Sequence, residues 1–372
     1  MKKILAASSA LVAVAFTGQA YASEPINLSV SGYMEQYVGG IQQDKALGDN
    51  KNRIQSDTEL HFQGMTTLDN GIEVGAAIEL EGEGSTNTDE QYLFINGGFG
   101  QLKFGSEDGA AADMAISAPT SGGFGPNDGK LDNWSQVSNI DNNTFSGDAQ
   151  RVTYYTPNIG GFRAGLSYAD SDQSEDADTK SLSGNENQVW SAGIEYNGDF
   201  NGVSFEVSAA GEYTNPRQGS SNTGTLDLEN GKSYTIGTNI GFGNFTVGGS
   251  YGVSDQWYNA STTTTVPLDN PNSAIAAANN TSDSSGFDLG ISYAMDAANI
   301  ALTYAKQTRD DYRAENGTYV KSGTNTELQA LSLGMDYTLG SGITWKSNIF
   351  WTESDDSIRD AYGVITGMRL AF

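Results

Sequence analysis

From about residue 26 to its end, the chain alternates apolar and polar or small positions with a period of two, the spacing that puts successive side chains on opposite faces of a β-strand. In one segment Ile72, Val74, Ala76, Ile78 and Leu80 fall on one face, and Glu73, Gly75, Ala77, Glu79 and Glu81 on the other. In another, Arg53, Gln55, Asp57, Glu59, His61 and Gln63 oppose Ile54, Leu60 and Phe62. The pattern predicts strands near 26–38, 53–63, 72–81, 90–97, 100–106, 150–156, 161–169, 187–196, 203–213, 233–242, 245–254, 285–295, 299–308, 327–339, 342–353 and 360–372, which is sixteen.

The apolar face is of a kind that suits lipid. The last eleven residues end on Phe372 with apolar or aromatic residues at most even positions. Chain ends fray unless something ties them down, and a closing barrel strand does so. A one-residue slip in segment 72–81 would turn three glutamates outward, so its register is strongly specified. Beyond residue 22 no run approaches the ~20 apolar residues of a membrane helix. The mean hydropathy of −0.42 fits barrel strands, in which lipid-facing and water-facing residues average out. The expected fold is therefore all-β, a transmembrane antiparallel β-barrel of about 16 strands, a size that encloses an aqueous channel.

The connections alternate in length. Asp69 to Gly71, Asn158 to Gly160, Gly198 to Gly202, Gly243-Asn244 and Gly340 to Gly342 read as tight turns, whereas Asp170 to Asn187, Thr214 to Lys232, Gln256 to Ser284 and Arg309 to Thr326 read as long polar loops. Barrels of this kind carry short turns on the periplasmic side and long loops outside. Tyr154, Tyr168, Tyr196, Tyr213, Tyr293, Tyr304, Tyr337 and Trp351 sit near the ends of outward faces, where amphipathic rings form interfacial girdles.

The amino terminus adds an address. Met1-Lys2-Lys3, an apolar run from Ile4 to Phe16 and Ala20-Tyr21-Ala22 read as a secretory signal over 1–22, leaving one barrel domain over 23–372. Without Lys2 and Lys3 the mature chain carries 17 basic against 46 acidic side chains, a formal charge of −29. That excludes a nucleic-acid partner and favours cations. The chain has no cysteine, so neither disulfides nor thiolate metal sites are available.

One connection, about 105–149, is far longer than a hairpin loop and is long enough to fold into the lumen and narrow it. It opens on Glu107-Asp108, passes Asp113-Met114 and reaches a glycine-rich tip over Gly122–Gly129. That tip is similar to a single copy of a calcium-binding nonapeptide, a repeat that works by stacking. Asp170, Asp172, Glu175, Asp176 and Asp178 read first as a solvated acidic loop whose charge discourages self-association and alternatively as a place to gather Ca²⁺ or Mg²⁺, although no cofactor is required. An enzymatic barrel would need a base. The one histidine, His61, lies mid-strand with no nucleophile motif nearby, which favours a pore-lining role over catalysis.

Asn27-Leu-Ser-Val-Ser-Gly-Tyr33, then Phe99-Gly-Gln-Leu-Lys-Phe-Gly-Ser-Glu-Asp108 leading into the long loop, then terminal Phe372, resemble the general porins of Gram-negative outer membranes. The likeness is greatest to the trimeric porins of photosynthetic bacteria. The resemblance implies a homotrimer of barrels in the outer membrane, with the third loop constricting each pore for passive diffusion of small hydrophilic solutes; the alternative is a substrate-specific channel for one nutrient, with the long loops as its filter. It also implies contact with outer-membrane lipid, lipopolysaccharide and the barrel-assembly machinery, with Phe372 as an assembly signal. It places acidic groups on the loop, here Glu107, Asp108, Asp113, Asp128 and Asp132, opposite basic groups on the wall, here Arg53, Lys103 and Arg151. With Asp57, Glu59, Glu73, Glu79 and Glu81 on the lumen face, the expected preference is for cations.

Overall fold

The computed structural model describes residues 25–43, 51–83, 88–127, 130–135, 145–170, 187–216, 230–258, 281–315, 318–355 and 360–372. The expected signal over 1–22, Asp128, and Asp172 to Asp178 lie outside them. Sixteen strands follow one another: β1 Asn27–Gln43, β2 Asn52–Thr67, β3 Glu73–Glu81, β4 Thr88–Gly97, β5 Gly100–Glu107, β6 Ala149–Tyr155, β7 Phe162–Ala169 and β8 Asn187–Phe200 form the first half. β9 Val203–Pro216, β10 Gly231–Phe242, β11 Phe245–Tyr258, β12 Thr281–Ala294, β13 Ala298–Glu315, β14 Thr318–Gly340, β15 Ile343–Ser354 and β16 Ala361–Ala371 form the second. Each pairs antiparallel with its sequence neighbours, and β1 pairs with β16, so the sheet closes on itself.

Closure is where the chain ends matter. The β1–β16 ladder runs from Tyr33 opposite Ala371 to Gln43 opposite Ala361. The Phe372 amide donates to the Gly32 carbonyl at 3.0 Å, and the Gly32 amide donates back at 2.9 Å, extending the seam to the last residue. No backbone edge is then left to lipid at this seam, which a hydrocarbon environment demands. The Phe372 side chain is 60% exposed.

Each predicted strand has its counterpart, and most run further than the alternation indicated. The largest difference is at 309–326, expected as a loop: β13 and β14 continue there as a two-stranded ribbon, with Tyr312 opposite Lys321 and Glu315 opposite Thr318 after a bulge at Asp310. Once started, an antiparallel pair can continue on cross-strand backbone hydrogen bonds alone, which make no demand on side-chain alternation. The turn over Asn201-Gly202 has positive φ at both residues, 54° and 82°, the conformation a two-residue hairpin needs.

The outer wall exposes Met34, Val38, Leu93, Leu166, Ile236, Leu289, Leu333, Ile349 and Val364. The aromatic residues anticipated as girdles lie on this face. Tyr168 meets Trp190 at 4.6 Å between ring centres, and Phe245 meets Tyr293 at 4.6 Å. The buried apolar cluster is inside: Tyr37, Ile41, Leu328, Phe350 and Ile365 of the wall enclose Phe124, Leu131 and Trp134 of the long loop. Phe124 packs edge-on against both Tyr37, at 4.7 Å, and Trp134, at 5.9 Å.

Deleting Phe372 removes the last seam hydrogen bonds and an outward aromatic ring together. The expected result is a sharp fall in the yield of folded barrel in outer membranes, with normal single-channel conductance for the fraction that folds. Heat-modifiable gel mobility and bilayer recordings on the same preparation measure both.

Candidate functional site

The loop between β5 and β6 lies inside the barrel and follows its wall. It begins with a one-turn helix, α1, over Ala110–Met114, and later forms a 3-10 turn over Lys130–Asn133. The amides of Ala110, Ala111 and Ile116 donate to the hydroxyls of Ser167, Ser191 and Ser208, on β7, β8 and β9, at 2.7, 2.8 and 2.9 Å. Asn239 of β10 donates to the Ser117 carbonyl, Thr303 of β13 to that of Pro119, Asn348 of β15 to that of Ser121 and Ser332 of β14 to that of Phe124. Arg53 of β2 reaches the Asn133 carbonyl at 2.6 Å, and the Trp134 indole donates to Gln55. Irregular backbone at membrane depth is tolerated where protein satisfies its polar groups, and here inward Ser, Thr and Asn side chains do so.

Two further devices fix the path. Asp288 on β12 is fully buried and accepts four bonds: Ala118 amide at 3.0 Å, Asn127 side chain at 2.9 Å, Ser250 amide at 2.6 Å and Ser250 hydroxyl at 2.9 Å. A buried carboxylate is tolerated when its acceptor sites are filled, and this one ties the loop to β11 and β12. Close approach needs space as well. A Cβ at Gly237 would stand 1.9 Å from the Ile116 carbonyl oxygen, and one at Gly334 1.7 Å from that of Ser121.

The loop's far end is held by charge. Glu35 of β1 is fully buried and receives the Tyr37 hydroxyl at 2.7 Å, Lys346 at 2.9 Å and Arg369 at 3.1 Å, with Lys130 of the loop at 3.5 Å. Lys130 also pairs with Asp57, and Arg369 lies 3.9 Å over the Tyr33 ring. Burial alone would lower the Lys130 pKa, but its bond to Asp57 and the charge of Glu35 outweigh this and raise it. Glu35, Lys130, Lys346 and Arg369 were not singled out from the sequence. Lys346 and Arg369 carried a signal, a basic residue on the inward face of a strand whose neighbours face lipid.

The residues that were singled out separate into groups. Glu107 and Arg151 do not reach the passage: both are buried, because they clamp the two ends of the loop. Glu107 pairs with Lys103, which lies 4.2 Å over the Tyr92 ring. Arg151 donates to the Gly147 carbonyl at 2.6 Å beside buried Glu212, and Glu212 accepts the Ser146 amide and hydroxyl at 2.6 and 2.7 Å. Asp113 receives the Tyr155 hydroxyl. Asp132 falls in the 3-10 turn. Arg53, Asp57, Glu59 and Glu81 line a cavity of about 510 Å³ with Lys130, Asn133 and Trp134. His61 lies 3.0 Å from Glu59 and 3.9 Å from Glu79. Tyr33 donates to Glu59 at 2.5 Å, and Glu73 accepts from Asn96 at 2.7 Å.

The bonds holding residues 110–134 go to β1, β2, β6 to β10 and β12 to β15, so the loop lies against that arc of wall. On the remaining arc the inward side chains Glu73, Glu79, Glu81, Glu90 and Lys103 stay part-exposed. Among the described residues three trios bring ligand atoms within 4.8 Å of one another and are the places able to hold a cation: Glu59, His61 and Glu79; Glu59, Glu81 and Asp89; Glu90, Asp108 and Asp148. In the last, burial and the negative charge of Asp108 and Asp89 push the Asp148 pKa up to about 7. Burial and Asp113 raise Asp108 too.

A closed sheet with an apolar outer wall, a charged inner wall and a loop narrowing its interior defines a membrane barrel channel. The sequence comparisons place it further: the Gram-negative porin family matches residues 7–357, and the chain belongs to that family, in the outer membrane. Outer membrane porin protein 32 of Delftia acidovorans is 29% identical over 182 residues, 45% of this chain and 50% of that one. Among solved structures, the trimer form of the Vibrio cholerae outer membrane protein OmpT has a TM-score of 0.61 at 13% identity over 95% of this chain and all of that one. An anion-selective porin from Comamonas acidovorans gives 0.59 at 16% identity over 94% and 100%.

Asp288→Ala removes two charge-assisted bonds to the loop, each worth about 1.5–3 kcal/mol. Single-channel recordings should show larger and noisier steps, with the barrel's melting temperature little changed. A pH effect follows from Asp148. Its folded pKa lies above the ordinary 3.8, so its contribution to loop stability is full below about pH 4 and is lost as pH rises through about 7. Hydrogen-exchange protection of residues 107–116 should fall from pH 5 to pH 8, and Asp148→Asn should flatten that fall.

Proposed function

We propose that the chain is a general diffusion porin, a homotrimer whose pores pass small hydrophilic solutes and prefer cations. The observation that carries the preference is the arc of wall the loop does not cover. Its part-exposed inward side chains beside the loop base are Glu79, Glu81 and Glu90, with Glu59 of β2 at its border, while Glu73 sits apart at the turn end, held by Asn96. Their one basic neighbour there, Lys103, is engaged by Glu107. Opposite them Lys130, Lys346 and Arg369 gather on the Glu35 carboxylate, and Lys130 also on Asp57, so part of the positive charge there is offset within the wall. At 0.15 M salt the Debye length is about 8 Å, too short to screen such groups fully across a porin constriction. Passing cations are then attracted and chloride repelled.

Glu107, Asp108, Asp113, Asp128 and Asp132 remain the loop carboxylates proposed to shape the field, the buried Glu107 acting through Lys103. Arg53 is the one basic residue foreseen from the sequence that borders the luminal cavity. His61, held between two glutamates, belongs in this reading to the acidic wall rather than to a catalytic site. Ca²⁺ or Mg²⁺ would find oxygen ligands in the carboxylate trios. The Comamonas porin is anion-selective on a similar fold, so the sign of the preference rests on this chain's own wall charges. The trimeric Vibrio relative supports the assembly state.

Reversal potential under a KCl gradient across planar bilayers tests the reading. A potential of the sign for potassium preference, from steps arriving in threes, is the expected result. Preference for chloride would overturn the selectivity, and conductance saturable by one solute would overturn the general pore.

A further inference from the structure

The acidic wall is interrupted by a register shift that no period-two reading of the sequence contains. β3 and β4 pair regularly from Glu73 opposite Asn96 to Ile78 opposite Gln91, and then Leu80 stands opposite Thr88. One residue of β3, Glu79, therefore faces two of β4, Asp89 and Glu90. This is a β-bulge, a device that re-aims side chains by inserting one unpaired residue. Strict alternation from inward Asn96, Phe94 and Tyr92 would keep Glu90 in the lumen and turn Asp89 to the outer face with Gln91 and Leu93. Gln91 keeps its place opposite outward-facing Ile78, but past the bulge Thr88 stands opposite outward-facing Leu80, so Asp89 is turned inward beside Glu90. Asp89 comes within 4.8 Å of Glu59 and Glu81, and Glu90 within 4.8 Å of Asp108 and Asp148.

The bulge thus joins two groups that a regular strand would keep apart. One is the row Glu59, Glu79 and Glu81 on β2 and β3. The other is the carboxylate pair where the loop leaves β5 and returns to β6. We propose that this bulge is the cation-specificity element of the pore, and that Asp89 is its specificity-determining residue, completing an unbroken carboxylate strip from the upper lumen to the base of the constriction loop. The proposal rests on the cation-preferring reading and adds where the preference is set. Along such a strip a cation leaving one carboxylate is already within reach of the next, whereas the summed lumen charge would act equally from any position. Glu73, at the turn end of β3 and held by Asn96, lies outside the strip and provides a charge-matched comparison.

The test is the potassium-to-chloride permeability ratio of Asp89→Asn, Asp89→Glu and Glu73→Gln, each first shown by heat-modifiable mobility to be folded like the wild type. One charge about 4 Å from the ion path in water changes an ion's local population about fivefold. Asp89→Asn should lower the ratio by at least about that factor, since the lost charge also repelled chloride, Asp89→Glu should retain it, and Glu73→Gln should leave it near the wild-type value. Equal reductions in Asp89→Asn and Glu73→Gln would show that total charge sets the preference and would overturn the assignment. A cation-selective wild type unchanged by Asp89→Asn would overturn it alone, whereas a chloride-selective wild type would remove the underlying reading as well.

Discussion

Hydrocarbon offers no partner to a backbone amide or carbonyl, so a sheet in lipid must pair every strand on both sides. In this chain that constraint is met at the β1–β16 seam, where the first and last strands of the polypeptide complete a ring of sixteen. Closure then dictates most of what surrounds it. Alternate side chains must suit lipid and water, register cannot slip without exposing glutamates, and the last residue is bound as firmly as any interior one. With no cysteine in the chain, the closed ladder does what cross-links would do elsewhere.

A ring of this size is too wide for wall side chains alone to fill. The interior is occupied by backbone, and backbone brings polar groups of its own. The wall answers with inward serines, threonines and asparagines that bond the loop, and with glycines such as Gly237 and Gly334 where it approaches most closely. Two buried carboxylates serve as fixed points: Asp288 with all four bonds drawn from N–H and O–H donors, and Glu35 among three cations and a tyrosine. Removing a single partner from either would leave an unbalanced buried group, the costly arrangement inside a protein. The constriction is therefore held by many directional contacts, and its opening is set by geometry rather than by packing alone.

The same arrangement makes the pore electrically lopsided. Loop and basic side chains occupy the arc from β6 around to β2, and Arg53 and Arg151 there donate to loop carbonyls. The opposite arc keeps its carboxylates facing water. Burial at the loop base raises Asp108 and Asp148, which ties the charge there to ambient pH. Loop anchoring, pH response and the proposed selectivity thus draw on one set of ionisable groups.

Strand number, face and order were legible in the sequence because lipid imposes a period of two on every spanning segment, as Glu73, Glu79 and Glu81 show against Ile72, Val74 and Ile78. The existence of a long third loop was legible from its length. Where that rule lapses, the sequence was silent: the β13–β14 ribbon goes on by backbone pairing past the alternating stretch, and the bulge at Asp89-Glu90 breaks alternation without altering composition. Arg151 and Glu107 read as pore-facing, yet their positions at the loop's two ends draw them into buried clamps. Glu35, Lys130, Lys346 and Arg369 lie far apart along the chain, and only ring closure brings β1, β15, β16 and the loop together. The sequence by itself determined that the chain crosses a membrane as a water-lined barrel, since solvent acts on each strand locally. Which charges neutralise one another and which remain free for a passing ion was decided by the tertiary structure alone, because pairing depends on distances across the ring.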